Sequence, residues 1–220
     1  MHHLYKKTMD IREFKAALFD LDGVVFDTEP QYTIFWRQEG RRYHPEIPDL
    51  EYRIKGQTLT QIYDGYFADV ADEQAEITHR LNEYEQGMEY RYIAGFEGFI
   101  ADLRKHNIKT AIVTSSNQVK MQNVYRQHPE FTALFDAILT SENFHESKPS
   151  PDCYLSAMKR LGMKNSESIV FEDSFNGLRS GRAAGMKVVG LATTNSAEAI
   201  SELSDIQIVD YAGTSYDTVS

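Results

Sequence analysis

The residues best suited to chemistry lie in one short run, Lys15-Ala16-Ala17-Leu18-Phe19-Asp20-Leu21-Asp22-Gly23-Val24, where an apolar string stops in two carboxylates and a glycine. A carboxylate with an ordinary pKa of about 3.9 is ionised at neutral pH, which makes it a nucleophile or a hard oxygen ligand. Burying Asp20 or Asp22 inside a strand would be costly unless each charge were matched. The C-terminal edge of a strand is the better place, because open α/β sheets put their ligand crevices there. Taken alone, Asp-x-Asp-Gly serves equally well as an acidic surface turn. An EF-hand loop fits less well, since Val24 stands where that loop needs another oxygen.

Other apolar runs stop in polar residues too. Lys109-Thr110-Ala111-Ile112-Val113-Thr114 leads into Ser115-Ser116-Asn117, and Ser168-Ile169-Val170-Phe171 leads into Glu172-Asp173-Ser174. Lys148-Pro149 lies between a third run, Asp136–Thr140, and a helical pattern from Cys153 to Leu161 that Gly162 ends. Further helical patterns cover Phe99–His106, Gln118–Gln127, Gly177–Ala184 and Ala197–Leu203. Further strands cover Lys187–Leu191 and Ile206–Val209. Strands alternating with single helices predict parallel βαβ units, hence an α/β fold with a doubly wound, Rossmann-like parallel sheet. In such a sheet all the strand ends share one edge, so the polar residues that follow them can converge.

Between Thr28 and about Tyr92 the composition changes to Glu, Gln, Arg and Tyr, with helical patterns and no convincing strand. One amphipathic stretch begins just after Pro30 and carries Ile34, Phe35 and Trp36. A second, Asp72–Arg91, spaces Ala75, Leu81, Tyr84 and Met88 by three and four residues. The glycine-bearing loop Lys55-Gly56-Gln57-Thr58 lies between them. The reading is an α-helical insert over residues 29–93, with residues 1–28 and 94–220 forming the core.

At 220 residues with a formal charge of −10, the chain can hold one sizeable core and is a poor partner for nucleic acid or an anionic membrane. Cys153 is the only cysteine, which rules out an internal disulfide and suits a reducing cytoplasm. The start, Met1-His2-His3-Leu4-Tyr5-Lys6-Lys7, has no apolar signal region, and no run is long enough to span a bilayer. A monomer is the simplest expectation.

The set Asp20-Leu21-Asp22-Gly23-Val24, Thr114-Ser115-Ser116, Lys148-Pro149 and Glu172-Asp173-Ser174 resembles the four motifs of the haloacid dehalogenase superfamily. The helical insert resembles the small cap of its branch with β-phosphoglucomutase and the sugar-phosphate phosphatases. Dehalogenases and phosphonatases of that superfamily lack the second aspartate, so Asp22 points to phosphoryl transfer. The resemblance implies that Asp20 attacks phosphorus to form an aspartyl-phosphate. Asp22 would protonate the leaving oxygen and later deprotonate water, a double role that needs a raised pKa, supplied by crowding from other carboxylates. The hydroxyls of Thr114 and Ser115, with Ser116 and the backbone at Gly23, suit phosphoryl oxygens. Lys148 would neutralise both nucleophile and phosphoryl group.

Asp20, Asp22, Glu172 and Asp173 put up to four negative charges where a phosphate dianion must bind. One like-charge pair at about 4 Å is unfavourable by about 4 kcal/mol at an effective dielectric near 20, more than Lys148 alone offsets. Hard oxygen ligands and a phosphate select Mg²⁺. By resemblance its ligands are an Asp20 oxygen, the Asp22 carbonyl and Asp173, with Glu172 at or just outside that set. By itself, Glu172-Asp173 could be an acidic pair at a helix N-terminus.

The implied activity is a Mg²⁺-dependent phosphatase acting on a small phosphorylated metabolite, a sugar phosphate in the first instance. The alternative is a β-phosphoglucomutase-like phosphotransferase. That reading is weakened where the insert departs from the mutase pattern: Tyr32 replaces a histidine and Leu59 replaces the arginine that grips a distant phosphate. Lys55 and Gln57 should hang over Asp20, or else sit in a solvated loop. Arg80 is a candidate ligand or an exposed helical arginine. Tyr32, Phe35 and Trp36 could wall the leaving group, although packing suits Phe35 and Trp36 better. His44, His79 and His106 read as surface residues and Cys153 as packed. A non-catalytic binding protein of the same fold would be marked by loss of Asp20, Asp22 or Lys148, and all three are present.

Overall fold

A computed structural model describes residues 13–220. The first residues, on which the absence of a signal region was read, lie outside the described residues. In chain order the elements are β1 (Ala16–Phe19), α1 (Glu29–Tyr43), α2 (Leu50–Arg53), α3 (Leu59–Tyr66), α4 (Gln74–Gly87), α5 (Phe96–Lys105), β2 (Lys109–Val113), α6 (Gln118–Gln127) and β3 (Ala137–Leu139). There follow α7 (Asp152–Leu161), β4 (Ser168–Glu172), α8 (Phe175–Ala183), β5 (Lys187–Leu191), α9 (Ala197–Ile200), β6 (Ile206–Ile208) and α10 (Tyr216–Val219).

The strands form one parallel sheet in the order β3-β2-β1-β4-β5-β6. The doubly wound expectation therefore holds. The order reverses at β1, which lies between β2 and β4, and such a switch point opens a crevice at the strands' C-terminal ends. Register fixes what lines it. Phe19 aligns with Ile112 on one side and Phe171 on the other, so Asp20 sits level with Val113 and Glu172.

Apolar packing holds this edge still. All of β1 is buried, and Phe19 stacks on Phe171 with ring centroids 4.6 Å apart, while Phe96 and Phe99 meet it edge-on. Each such ring removed from water contributes roughly 1.5–3 kcal/mol. The helices between β1 and β2 have a separate cluster, in which Phe35, Trp36, Leu50, Phe67 and Ile77 are buried together.

Several boundaries differ from the sequence reading. The stretch expected as one helix over Asp72–Arg91 is a 3₁₀ turn (Ala68–Glu73), then α4, then extended chain. Met88 and Tyr90 are drawn off the helix into the core cluster, and Ile77 takes the inward position assigned to Ala75, which is exposed. The extended piece pairs Tyr92 with Phe26, with Asp27 N–H donating to Arg91 O at 2.9 Å and Ile93 N–H to Val25 O at 2.9 Å. α2 and α3 flank the loop Lys55–Thr58, where no separate helices were read. The signal for α3 was present: Thr58 and Gln61 make a reciprocal capping box.

Candidate active site

At the switch point a cavity of about 520 Å³ opens between the sheet edge and the helices that follow β1. Asp20, Asp22, Thr114, Ser115, Ser116, Lys148 and Asp173 from the core line it, with Lys55 and Gln57 from the loop before α3. The scattered strand-end residues therefore converge.

Lys148 forms the floor. Its ammonium, 2 % exposed, donates to Asp20 Oδ1 at 2.5 Å, Glu172 Oε1 at 2.6 Å and Val113 O at 3.1 Å. Burial pulls its pKa down, but Asp20 and Glu172 outweigh that and hold it above the usual lysine range. Glu172 is fully engaged. Tyr154 also donates to Oε1 at 2.8 Å, while Oε2 accepts from Asp173 N–H at 3.2 Å and Ser174 Oγ at 3.3 Å.

Asp20 departs from the ordinary carboxylate assumed from sequence. Burial pushes it up to about 7, against the pull of Lys148 and with help from Glu172 and Asp22. Burial, with Glu29, Glu172 and Asp20 nearby, likewise raises Asp173 well above the usual range. Ligand oxygens of Asp20, Glu172 and Asp173 lie within 4.8 Å of one another. Asp20 and Asp173, whose ionised forms are disfavoured by burial and neighbouring carboxylates, are oxygen donors that fit a hard divalent cation. Since both Glu172 oxygens are occupied, Asp20 and Asp173 are the freer pair, and Glu172 fits better just outside.

Asp22 stands near the carboxylates of Asp20, Glu29 and Glu85, and a cation and two hydroxyls hold it as well. Its Oδ1 accepts from Thr28 Oγ1 at 2.5 Å, and its Oδ2 accepts from Ser116 Oγ at 3.1 Å and from the Lys120 ammonium. Gly23 needs correction. It turns the chain with φ +72°, its N–H donates to Phe26 O at 2.8 Å, and its carbonyl accepts from Thr193 at 2.5 Å. It does not line the cavity. A Cβ there would overlap the Asp173 carboxylate, so the glycine admits that side chain.

The loop above is also not solvated. Lys55 pairs with Glu29 at 3.0 Å, both largely buried, and Gln57 Nε2 donates to Arg53 O at 2.9 Å. Gly56, at φ +73°, packs so closely on Ser174 that a Cβ would overlap it, and Gln61 Nε2 donates to Lys148 O at 3.0 Å. Tyr32 and Trp36 line the cavity, whereas Phe35 is packed behind. His44 is buried against the Phe67 ring, centroids 5.1 Å apart, not on the surface; His79 and His106 are exposed, and Cys153 is buried.

Arg80 does not line the cavity and is not an exposed helical arginine. It forms a fork on Glu39, with Nε to Oε1 at 3.0 Å and Nη2 to Oε2 at 2.6 Å, and it touches Tyr43. Glu39 is buried, so Arg80→Met should leave its charge short of a partner and lower stability by about 1–3 kcal/mol. Thermal melting should fall by several degrees with KM unchanged. A raised KM at an unchanged melting temperature would return Arg80 to the binding site.

Thr28, Glu29, Lys120, Tyr154 and Thr194, which donates to Asp173 Oδ2, were not found by sequence reasoning. Thr28 and Glu29 adjoin the first motif and could have been weighed with it. Lys120 carried no local signal.

The haloacid dehalogenase-like hydrolase profile matches residues 17–191, and the chain belongs to that family. The chain is 26 % identical over 205 residues to the phosphorylated carbohydrates phosphatase of Thermotoga maritima, covering 89 % of this chain and 94 % of that protein. It is 26 % identical over 211 residues to the bifunctional riboflavin kinase/FMN phosphatase of Arabidopsis thaliana, covering 88 % of this chain but 54 % of that protein, about half its length. The fold is that of β-phosphoglucomutase from Clostridium difficile, with TM-score 0.77, 22 % identity, and 94 % and 95 % of the two chains covered. No helix among the described residues is long and apolar enough to cross a membrane.

Proposed function

We propose that the chain is a Mg²⁺-dependent phosphomonoesterase for a small phosphorylated metabolite, with a sugar phosphate as the first substrate class to test. The observation that carries this is Lys148 bridging Asp20 and Glu172 beneath a cavity whose floor also offers Asp173. In this reading residues 29–93 act as the cap, and residues 1–28 and 94–220 as the phosphoryl-transfer core.

Asp20 forms a bond from its carboxylate to phosphorus as the ester P–O bond breaks. Asp22 passes its proton to the leaving oxygen. Water then attacks the aspartyl-phosphate and gives a proton to Asp22, which releases phosphate and restores Asp20. Thr114 Oγ1 accepts from Ser116 N–H at 3.0 Å, which leaves its own hydrogen to donate to a phosphoryl oxygen. Asp20 and Asp173, with the Asp22 carbonyl, would hold Mg²⁺, and Glu172 would steady them from outside. When bound, the ion neutralises and orients the phosphoryl oxygens.

Phosphatase is favoured over mutase by the charges that line the cavity. Its lysines are each engaged, Lys55 with Glu29, Lys120 with Asp22 and Lys148 with Asp20, and no arginine lines it among the described residues. A second phosphate would find no spare cation. Phosphate release should thus exceed conversion of β-glucose 1-phosphate to glucose 6-phosphate in the presence of a bisphosphate activator. Monophosphates should outrun bisphosphates in a release screen. Efficient isomerisation would reverse the assignment.

Metal dependence has a stability signature. Asp20 has a folded pKa above its unfolded value, so the cation-free protein binds extra protons in the folded state. Its stabilising contribution is present at low pH and is lost as pH rises through about 7. Melting in EDTA should fall between about pH 6 and pH 8, and Mg²⁺ should raise it more at the higher pH. EDTA should abolish phosphate release and Mg²⁺ should restore it. Full activity in excess EDTA would refute the metal assignment.

A further inference from the structure

Lys120 is an unusual residue for the place it occupies. It stands in the first turn of α6, where the helix dipole disfavours a cation, and it is 3 % exposed. Two residues facing the core from the same helix, Met121 and Val124, are fully buried and apolar. Packing alone would be met by another such side chain, and a buried ammonium costs free energy unless it is paired.

Its partners explain it. The ammonium contacts Asp22 Oδ2, the oxygen that also accepts from Ser116 Oγ at 3.1 Å, while Thr28 Oγ1 holds Oδ1 at 2.5 Å. Three donors, Thr28 from one segment and Ser116 and Lys120 from the start of another, fix both carboxylate oxygens, and only Lys120 brings a charge. The same ammonium lies 4.6 Å from the centroid of the Tyr32 ring, within cation–π range. Tyr32 hydroxyl donates in turn to Glu85 Oε1 at 2.7 Å, on α4. A continuous line of contacts thus runs from Asp22 through Lys120 and Tyr32 to Glu85, crossing from the core to the helices above it.

We propose that Lys120 is the positioning residue for proton transfer, holding the Asp22 carboxylate toward the leaving oxygen and tying that orientation to the overlying helices through Tyr32. This rests on the proton-transfer role given to Asp22 above. Departure of an alkoxide needs a proton, whereas departure of p-nitrophenolate does not. Displacing the donor should therefore slow alkyl phosphates selectively, while a general packing defect should slow both substrates alike.

The experiment compares Lys120→Met and Lys120→Arg on glucose 6-phosphate and p-nitrophenyl phosphate, with a melting curve for each variant. Lys120→Met should lose about 10²-fold in kcat on the sugar phosphate, with little change in KM, while the pre-steady-state release of nitrophenolate stays within severalfold of wild type. Lys120→Arg, which keeps the charge, should recover much of the loss. Should Lys120→Met fail to fold, Lys120→Gln keeps a donor without charge and should show the same leaving-group dependence more weakly. Equal losses on both substrates, or no loss on either, overturn the proposal. Asp22→Asn separates the two levels. If it is leaving-group dependent and Lys120→Met is not, only the Lys120 role falls; if Asp22→Asn shows no such dependence, the role of Asp22 falls and the Lys120 role with it.

Discussion

Asp20→Asn should abolish turnover, by on the order of 10⁴-fold or more, without unfolding the protein. The amide keeps the shape of the side chain but cannot form the bond to phosphorus. Stability should not suffer. Burial already disfavours the Asp20 charge, and Lys148 keeps Glu172 at 2.6 Å and Val113 O at 3.1 Å. In EDTA near pH 8, where the wild-type carboxyl is mostly ionised, the variant should melt at or above the wild-type temperature. Rapid quenching of wild type with substrate should trap a mass gain of one phosphoryl group on the peptide bearing Asp20, absent from the variant. Retained turnover, or a phosphoryl group found elsewhere, would remove Asp20 as nucleophile.

Lys148→Met should be damaging twice over. Methionine fills the aliphatic path but removes the ammonium from between Asp20 and Glu172, of which Glu172 is wholly buried. Breaking a buried charge pair by deleting one partner costs about 3–5 kcal/mol. For a chain of this size that corresponds to a fall in melting temperature of roughly 10 °C. Activity should fall by at least about 10²–10³-fold, the scale for losing one positioned group that stabilises developing charge. Excess Mg²⁺ should recover part of the stability, because a second cation shares the load, but little of the rate. A variant that melts with wild type would show that the carboxylates find another partner.

Much of the architecture was legible because strands of a parallel sheet announce themselves. Lys109–Val113, Ser168–Glu172 and Lys187–Leu191 are apolar runs bounded by polar residues, and the structure places strands on them. The site was legible for the same reason: Asp20, Thr114 and Glu172-Asp173 each follow or end such a run, and one sheet edge gathers them. Helical residues were harder. Which way Lys120, Arg80 or His44 points depends on the neighbouring elements, and a lysine three residues into a helix looks like any solvated one. Tertiary contact also overrode local pattern at Met88 and Tyr90, where burial in the core ended a periodic helix early. Asp22 was singled out and lines the cavity, yet the cation beside it escaped notice, since it comes from a residue 98 positions away.

The paired connectors, in which Asp27 meets Arg91 and Ile93 meets Val25, also bear on how the chain reaches this fold. Strand β1 must find β2 across the whole helical segment, from Phe19 to Lys109, before it can take its place beside it in the sheet. Closing so long a loop is entropically slow, and each halving of its effective length recovers about 0.6 kcal/mol. Because the segment enters and leaves at adjacent points, helices that collapse early on their own cluster and zip these connectors shorten the search. The part of the molecule that covers the cavity in the finished protein would then also set the rate at which the cavity is made.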